Sequence, residues 1–373
     1  MRLRDLDLAI GTLPTGPLNA ITDVAGVRVG HTTLVEGDGP LRRGHGPVRT
    51  GVTMVVPHDG NVWDEPVYAG FHRLNGNGEM TGLQWVEEAG LLLSPIGLTN
   101  THSVGAVHEA LVALEVDELP AGTEAWALPV VAETWDGVLN DINGFHVRPE
   151  HARAAYHAAA AGPVAEGNVG GGTGMICHEF KGGIGTSSRR VPERAGGFTV
   201  GVLVQANHGR RERFSVDGVP VGREISPDVV PTPDSRVPPG TGSIIGLVAT
   251  DAPLLPIQLR RLAQRAAFGV ARTGGMGGNS SGDLFLAFST GNRGMPADHH
   301  LDRPPLTAQV HTLSNSYIDD LFQAVIEATE EAIVNAVVAA ETMTGVNGVV
   351  AHGLDGALLA DVMARYRPPP TRR

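Results

Sequence analysis

Short β-branched runs alternate with stretches of helical spacing along the whole chain. ITDVAGVRVGHTTL (21–34) and GVTMVVPHDG (51–60) are rich in Val and Thr and closed by glycine, which predicts two strands. NGNGEMTGLQWVEEAG (75–90) predicts a glycine turn running into a short helix, with Glu79 near its start. LLLSPIGLTN (91–100) is strand-like, HSVGAVHEALVALEV (102–116) helical, and ALPVVAETW (127–135) strand-like again. A helix is expected around HARAAYHAAAAG (151–162), after which the pattern changes. GNVGGGTGMICHEFKGGIGTSSRRV (167–191) predicts a glycine-rich loop and a hairpin, and FTVGVLVQANHG (198–209) a long apolar strand ending in polar residues.

A proline-rich loop, PTPDSRVPPGTG (231–242), then stops abruptly at Gly242-Ser243. SIIGLVATDA (243–252) follows as a buried strand, PLLPIQLRRLAQRAAFGVART (253–273) as an amphipathic helix, GGMGGNSSGD as a glycine turn and DLFLAFST (283–290) as a second strand. The strongest helix is predicted over 316–345, where Ile318, Leu321, Phe322, Val325, Ala332, Ile333 and Ala336 keep a 3–4 spacing. Ser316 is its expected cap, and Asp319 and Asp320 suit the positive end of its dipole. Alternating β and α elements place helices over sheet faces. No fixed-period repeat and no sharp linker divides the chain, so residues 1–373 are expected to form one layered domain.

Composition narrows the functional classes. A 42% hydrophobic content fills a sizeable core, and Gly 50 with Pro 26 implies many tight turns between short elements. The net charge of −12 and the absence of a basic stripe argue against nucleic acid as a partner. The arginine-rich tail RYRPPPTRR reads as a frayed terminus. A single cysteine, Cys177, excludes an internal disulfide framework and fits a reducing compartment. Without an apolar leader or a run of about 18 apolar residues, the expectation is a cytoplasmic protein with no membrane partner.

Several motifs fail on context. GGGTG (170–174) is followed by strand-like MICHEF, not by the helix a dinucleotide loop requires. Gly278-Asn279-Ser280-Ser281-Gly282 satisfies the G-x-S-x-G pattern, but its helix comes before the turn and its strand after, the reverse of a nucleophile elbow, which rules out Ser280. The histidines are scattered with no His/Cys cluster at ligand spacing, and His299-His300 reads as a solvated pair, so no metal is expected.

Ser243 stands out by position. It opens a core strand directly behind a glycine and a loop able to strain the Gly242-Ser243 peptide. Attack of its hydroxyl on the Gly242 carbonyl gives an ester by N-to-O shift, and water then frees an α-amine. Such an amine titrates near about 7.7–8.0, a useful value for a base at neutral pH. Nucleophile and base then reside on one residue. Ser281 and Asp283, in the turn entering the next strand, either cap that turn or reach the new chain end.

TGSIIGLVATDAPLLPIQLRRLAQRAAFGVARTG (241–274) closely resembles the start of the small subunit in the DmpA-type aminopeptidase family, the L-aminopeptidase/D-esterases and β-peptidyl aminopeptidases. NGNGEMTGLQWVEEAG, LTNTHSVGAV, NDINGFHV, HEFKGGIGTSSR and VQANHG are similar to the same family, so the resemblance spans nearly the whole chain. It implies an α+β fold, a four-layer αββα sandwich of N-terminal-nucleophile type, self-cleaved into polypeptides 1–242 and 243–373. It also implies assembly into homo-oligomers, with a tetramer of two-chain units as the expected form. By the same resemblance Ser243 is the nucleophile, Gly242 the released C-terminus, Ser281 and Asp283 the pair that orients the nucleophile and its amine, and Asn207 the oxyanion-stabilising amide. Glu133 is the candidate for a substrate ammonium, with Trp135 as a pocket wall. Phe145 is the third substrate-binding candidate; some relatives have tyrosine there, so a phenolic hydroxyl for oxyanion binding or amine contact has no counterpart in this chain. The implied activity is removal of N-terminal residues from short peptides, amides or esters without a cofactor. The rivals are an ω-amino-acid oligomer amidase, an acyltransferase of the same fold, both of which use threonine, and a non-catalytic scaffold that stays uncleaved.

Overall fold

The computed structural model describes residues 1–119, 122, 124, 126–234, 242–295 and 306–366. His299-His300, most of the proline-rich loop and the end of the arginine tail lie outside the described residues.

Two sheets stack face to face. The smaller has the order β1-β2-β5-β6, from β1 (Arg28–Glu36), β2 (Val48–Val56), β5 (Ile96–Asn100) and β6 (Val130–Thr134). The larger runs β4-β3-β12-β11-β10-β9, from β3 (Val67–Arg73), β4 (Leu91–Leu92), β9 (Gly183–Arg190), β10 (Thr199–Asn207), β11 (Ser243–Thr250) and β12 (Asp283–Ser289). The expected strand over 21–34 begins only at Arg28, because Ile21–Asp23 turns as a 3-10 helix against β10. The expected hairpin in 167–191 is a two-residue pair, β7 (Ile176–Cys177) with β8 (Phe180–Lys181), feeding β9.

Between the sheets, alternate residues of each strand interdigitate: Ile96, Leu98 and Val130 from one face meet Leu203, Ile245, Leu247, Leu284 and Leu286 from the other. Outside the smaller sheet, α2 (Val104–Glu118) and α3 (Pro149–His157) pack on Val52, Met54 and Val131. Outside the larger, α5 (Pro256–Arg272) and α6 (Ile318–Val338) cover Val202, Val204, Ile244, Val248 and Phe285. The layers are therefore αββα. Short helices α1 (Leu83–Ala89) and α4 (Val221–Glu224) and the terminal α7 (Gly356–Tyr366) complete the described chain.

Helix α6 is buried well beyond its predicted apolar stripe. Glu327 and Glu331, one turn apart, accept from the fully buried Arg189 of β9, and Arg4 donates to Glu331 from the other side. Burial pushes Glu331 up, but the donors, with Arg4 and Arg189 among them, outweigh it and hold its carboxyl below the usual range. The cap differs from the expectation. Ser314, not Ser316, carries it: the Ser314 hydroxyl accepts from the Ser316 N–H at the head of a 3-10 turn (Asn315–Tyr317) that leads into α6. Asp319 and Asp320 do occupy the first turn of the helix.

Candidate active site

One crossover places the chemistry. Strands β11 and β12 are parallel neighbours joined by α5, so both begin at the same end of the sheet, with Ile244 opposite Asp283. On the other side β10 runs antiparallel and ends there, with Asn207 opposite Ser243. Three strand termini thus deliver Ser243, Asp283 and Asn207 to one point, as ladder register requires.

Ser243 is buried, and its Oγ accepts a 2.9 Å hydrogen bond from the Gly282 N–H. Asp283 turns back toward the same strand end. Its Oδ1 accepts from the Ile244 N–H at 3.1 Å and from the Ser281 hydroxyl at 2.6 Å. Burial raises the Asp283 carboxyl above its ordinary value, against the lowering effect of those two donors. Gly242 is held at φ 141°, and a Cβ there would lie 1.9 Å from the Asn207 carbonyl oxygen and 3.3 Å from Asn207 Nδ2. Only glycine fits that approach. The Asn207 amide is fixed at both ends: Oδ1 accepts from the Ile176 N–H at 2.8 Å, and Nδ2 donates to the Trp135 carbonyl at 2.9 Å. Of its two N–H groups one is thereby committed, and the amide nitrogen borders Gly242.

Glu133, at the end of β6, joins this cluster through the glycine turn 75–82. A Cβ on Gly78 would meet Gly282 Cα at 3.0 Å and Glu133 Oε1 at 3.3 Å. Glu133 is buried; it accepts from the Glu79 N–H at 3.0 Å and from the Thr101 hydroxyl. Burial raises its carboxyl and the nearby Glu79 carboxylate raises it further, whereas Thr101 and His102 act the other way. A buried carboxylate linked to Ser243 through Gly78 and Gly282 suits a substrate ammonium. Trp135 contributes its main-chain carbonyl, while its ring lies over Gly137. Phe145 stands further out. It is 49% exposed, left-handed at φ 53°, and stacked on His102 with ring centroids 6.1 Å apart. It reaches the cluster only by way of His102.

The Gly282 and Ile176 N–H groups were not legible in the sequence, since main-chain donors leave no side-chain signature, and Thr101 sits in no motif that would single it out. A His/Cys grouping also appears that the sequence spacing hides: ligand atoms of Cys177, His178 and His208 lie within 4.8 Å of one another. Burial pushes the Cys177 thiol up to about 12 and the His178 imidazole down to about 4. Cys177 Sγ and His208 Nδ1 are 3.9 Å apart, where tetrahedral zinc brings S and N to about 3.6 Å. Arg211 beside His178 and Lys181 beside Cys177 further oppose a cation.

These features are those of a hydrolase site at the head of a central strand, and the family follows. The signature of Peptidase family S58 matches residues 19–351, and the chain belongs to that family. It is 51% identical over 375 residues to "Beta-peptidyl aminopeptidase BapA" of Sphingosinicella microcystinivorans, covering 98% of this chain and 92% of the relative. Among solved structures, "Burkholderia sp. beta-aminopeptidase" superposes with a TM-score of 0.92 at 53% identity, covering 99% and 100% of the two chains. The L-aminopeptidase D-Ala-esterase/amidase of Ochrobactrum anthropi, described as a new variant among the Ntn hydrolase fold, gives 0.89 at 47% identity, covering 98% of each. The αββα architecture here is that fold.

Proposed function

We propose that this chain is a self-processing serine aminopeptidase that removes N-terminal residues from short peptides, amides or esters through an acyl-Ser243 intermediate. The observation that carries the reading is the meeting of Ser243 Oγ, the Gly282 N–H, the Asn207 amide and the Asp283 carboxylate at one strand end.

Maturation begins when Ser243 Oγ adds to the Gly242 carbonyl. The Gly242-Ser243 C–N bond breaks, an ester forms, and the nitrogen leaves as the Ser243 α-amine. Water then hydrolyses the ester to a Gly242 carboxylate and a free hydroxyl. In turnover that hydroxyl gives its proton to the α-amine as it attacks the substrate carbonyl. The Asn207 N–H stabilises the developing oxyanion, an interaction of roughly 3 kcal/mol in comparable sites. The protonated amine supplies the leaving group's proton, and water releases the acyl group in the second half. Glu133 holds the substrate ammonium, which limits the enzyme to N-terminal residues. Asp283 and Ser281 hold the Ser243 end in line.

The names of the relatives favour β-amino-acid N-termini as the substrate class. Serine at 243 disfavours the amidase and acyltransferase rivals. The exposed Ile257, Phe268 and Met276 support self-association into a homo-oligomer, and one buried cysteine supports a cytoplasmic setting. Among the described residues, no helix is long and apolar enough to cross a membrane.

Denaturing intact mass with N-terminal sequencing tests the reading. Two pieces are expected, about 25 and 14 kDa when 39.0 kDa is divided by length, the smaller beginning Ser-Ile-Ile-Gly. Ser243→Ala is expected to remain one chain and to hydrolyse neither β-alanyl nor L-alanyl p-nitroanilide. A mutant that still hydrolyses either substrate excludes Ser243 as nucleophile.

A further inference from the structure

Lys181 is fully buried at the end of β8 and, among the described residues, forms no ion pair. Its Nζ donates instead to three main-chain carbonyls: Gly182 at 2.7 Å, Met175 at 2.8 Å and Gly172 at 3.4 Å. Burying an ammonium without a counter-charge is costly, and such groups persist where their field is used. Burial draws Lys181 down to about 7, and the Cys177 sulfur acts the other way. The three carbonyl oxygens around Nζ are where a positive charge would be held.

The Met175 carbonyl and the Ile176 N–H belong to one peptide unit. That N–H donates to Asn207 Oδ1 at 2.8 Å. The ammonium therefore pulls on the oxygen of a peptide whose hydrogen pulls on the oxygen of the Asn207 amide. Each link makes the next donor more acidic, as hydrogen bonds in series do in a dry interior. The chain ends on Asn207 Nδ2, beside Gly242. The same bonds fix which end of the amide faces the reaction, because Ile176 needs an acceptor and the Trp135 carbonyl a donor.

We infer that Lys181 is a positioning residue for the reaction, acting through the Met175–Ile176 peptide to aim and polarise the Asn207 amide at the oxyanion. The inference rests on the role given to Asn207 above. It explains a fully buried lysine in the short hairpin Ile176–Lys181, where a neutral donor would satisfy the same carbonyls.

A double-mutant comparison tests it, with the matured fraction of each preparation fixed by intact mass. Lys181→Gln keeps donors but not the charge. It is expected to lower kcat about tenfold with KM within about twofold, and Lys181→Arg to restore kcat to within about threefold of wild type. Affinity for a substrate-derived boronic acid, which mimics the tetrahedral anion, should fall by the same factor as kcat. Asn207→Ala is expected to lower kcat about a hundredfold. Adding Lys181→Gln to it should cost nothing more, since the path no longer has an end. Wild-type kcat in Lys181→Gln beside a crippled Asn207→Ala overturns this inference and leaves the proposed function intact. Additive losses in the double variant overturn it too. Wild-type kcat in Asn207→Ala removes the oxyanion role itself. If Lys181→Gln does not fold, Lys181→Met, an apolar near-isostere suited to a buried site, enters the same comparison.

Discussion

Replacing Gly242 by alanine sets two effects against each other. At φ 141° an L-residue is strained by roughly 1–3 kcal/mol. If the acyl shift relieved that strain, cleavage would accelerate up to about a hundredfold. The added Cβ, however, would sit 1.9 Å from the Asn207 carbonyl oxygen and 3.1 Å from its carbon, both main-chain atoms with no rotamer to yield. Cβ atoms essentially never approach other atoms closer than 3.0 Å, so the Gly242 segment must retreat by at least 1.1 Å. That retreat moves the scissile carbonyl away from Ser243 Oγ and the Asn207 amide together. A displacement of about 1 Å in a reacting group costs on the order of a hundredfold. It also prevents the strain from being focused on the bond to be cut, so misplacement wins. Gly242→Ala is expected to self-cleave at least about tenfold more slowly than wild type, followed by intact mass on freshly made precursor. Thermal melting of Ser243→Ala with and without Gly242→Ala separates slow chemistry from lost folding. A Gly242→Ala precursor that matures at the wild-type rate or faster refutes the argument.

Asp283→Asn keeps an acceptor for the Ile244 N–H but loses the charge, so turnover is expected to fall roughly 10–100-fold with little change in melting temperature. Acidification is expected to lower wild-type kcat in two steps. The first comes as the α-amine base is protonated at about 7.7–8.0. The second comes as the proposed Asp283 carboxylate is protonated, at a higher pH than an ordinary carboxylate predicts because burial raises it. A pH–rate profile of Asp283→Asn should keep the first step and lack the second. Glu133→Gln is expected to raise KM for substrates with a free ammonium at least about tenfold, with a smaller effect on N-acylated esters. Its stability runs the other way. Burial raises the folded Glu133 carboxyl above the unfolded value of 4.5, so ionisation destabilises the fold as pH rises through that interval. The variant should therefore match wild type in acid and melt higher at neutral pH, as calorimetry at the two pH values will show.

Most of the architecture was legible because periodicity and glycine punctuation are local signals. The strand at 243–250, the helix at 256–272 and the strand at 283–289 follow from their patterns, and their order disqualified Ser280 as an elbow. The gathering of Ser243, Ser281, Asp283 and Asn207 required the family resemblance, since strand register is not local. What the sequence hid are the groups acting through main-chain atoms. Beside the pocket wall expected of its ring, Trp135 offers a carbonyl to the Asn207 amide, a main-chain role that leaves no trace in residue type. The Gly282 and Ile176 N–H groups are likewise invisible in any residue pattern. The Ser316 cap failed because a 3-10 turn sets the helix start back, leaving Ser314 at the capping position. Glu327 and Glu331 gave no hint of burial, because their partners Arg189 and Arg4 lie far away in sequence.

The order of the larger sheet sets what the proposed cut after Gly242 would do to the two polypeptides. Segment 243–373 supplies β11 and β12, and these sit in the middle of the sheet, flanked by β10 and β3 of segment 1–242. Both flanking ladders, the one from Asn207 to Val200 and the one from Tyr68 to Arg73, cross between the pieces, as do the buried pairs of Glu327 and Glu331 with Arg189 and Arg4. The severed bond thus joins two parts already woven into one fabric. Cleavage changes the number of chain ends without creating a separable subunit. The proposed site would also be divided between the pieces, with Ser243 and Asp283 on one and Asn207 and Glu133 on the other. Activity is for this reason a property of the woven pair, and unravelling it would destroy the fold before it released a fragment.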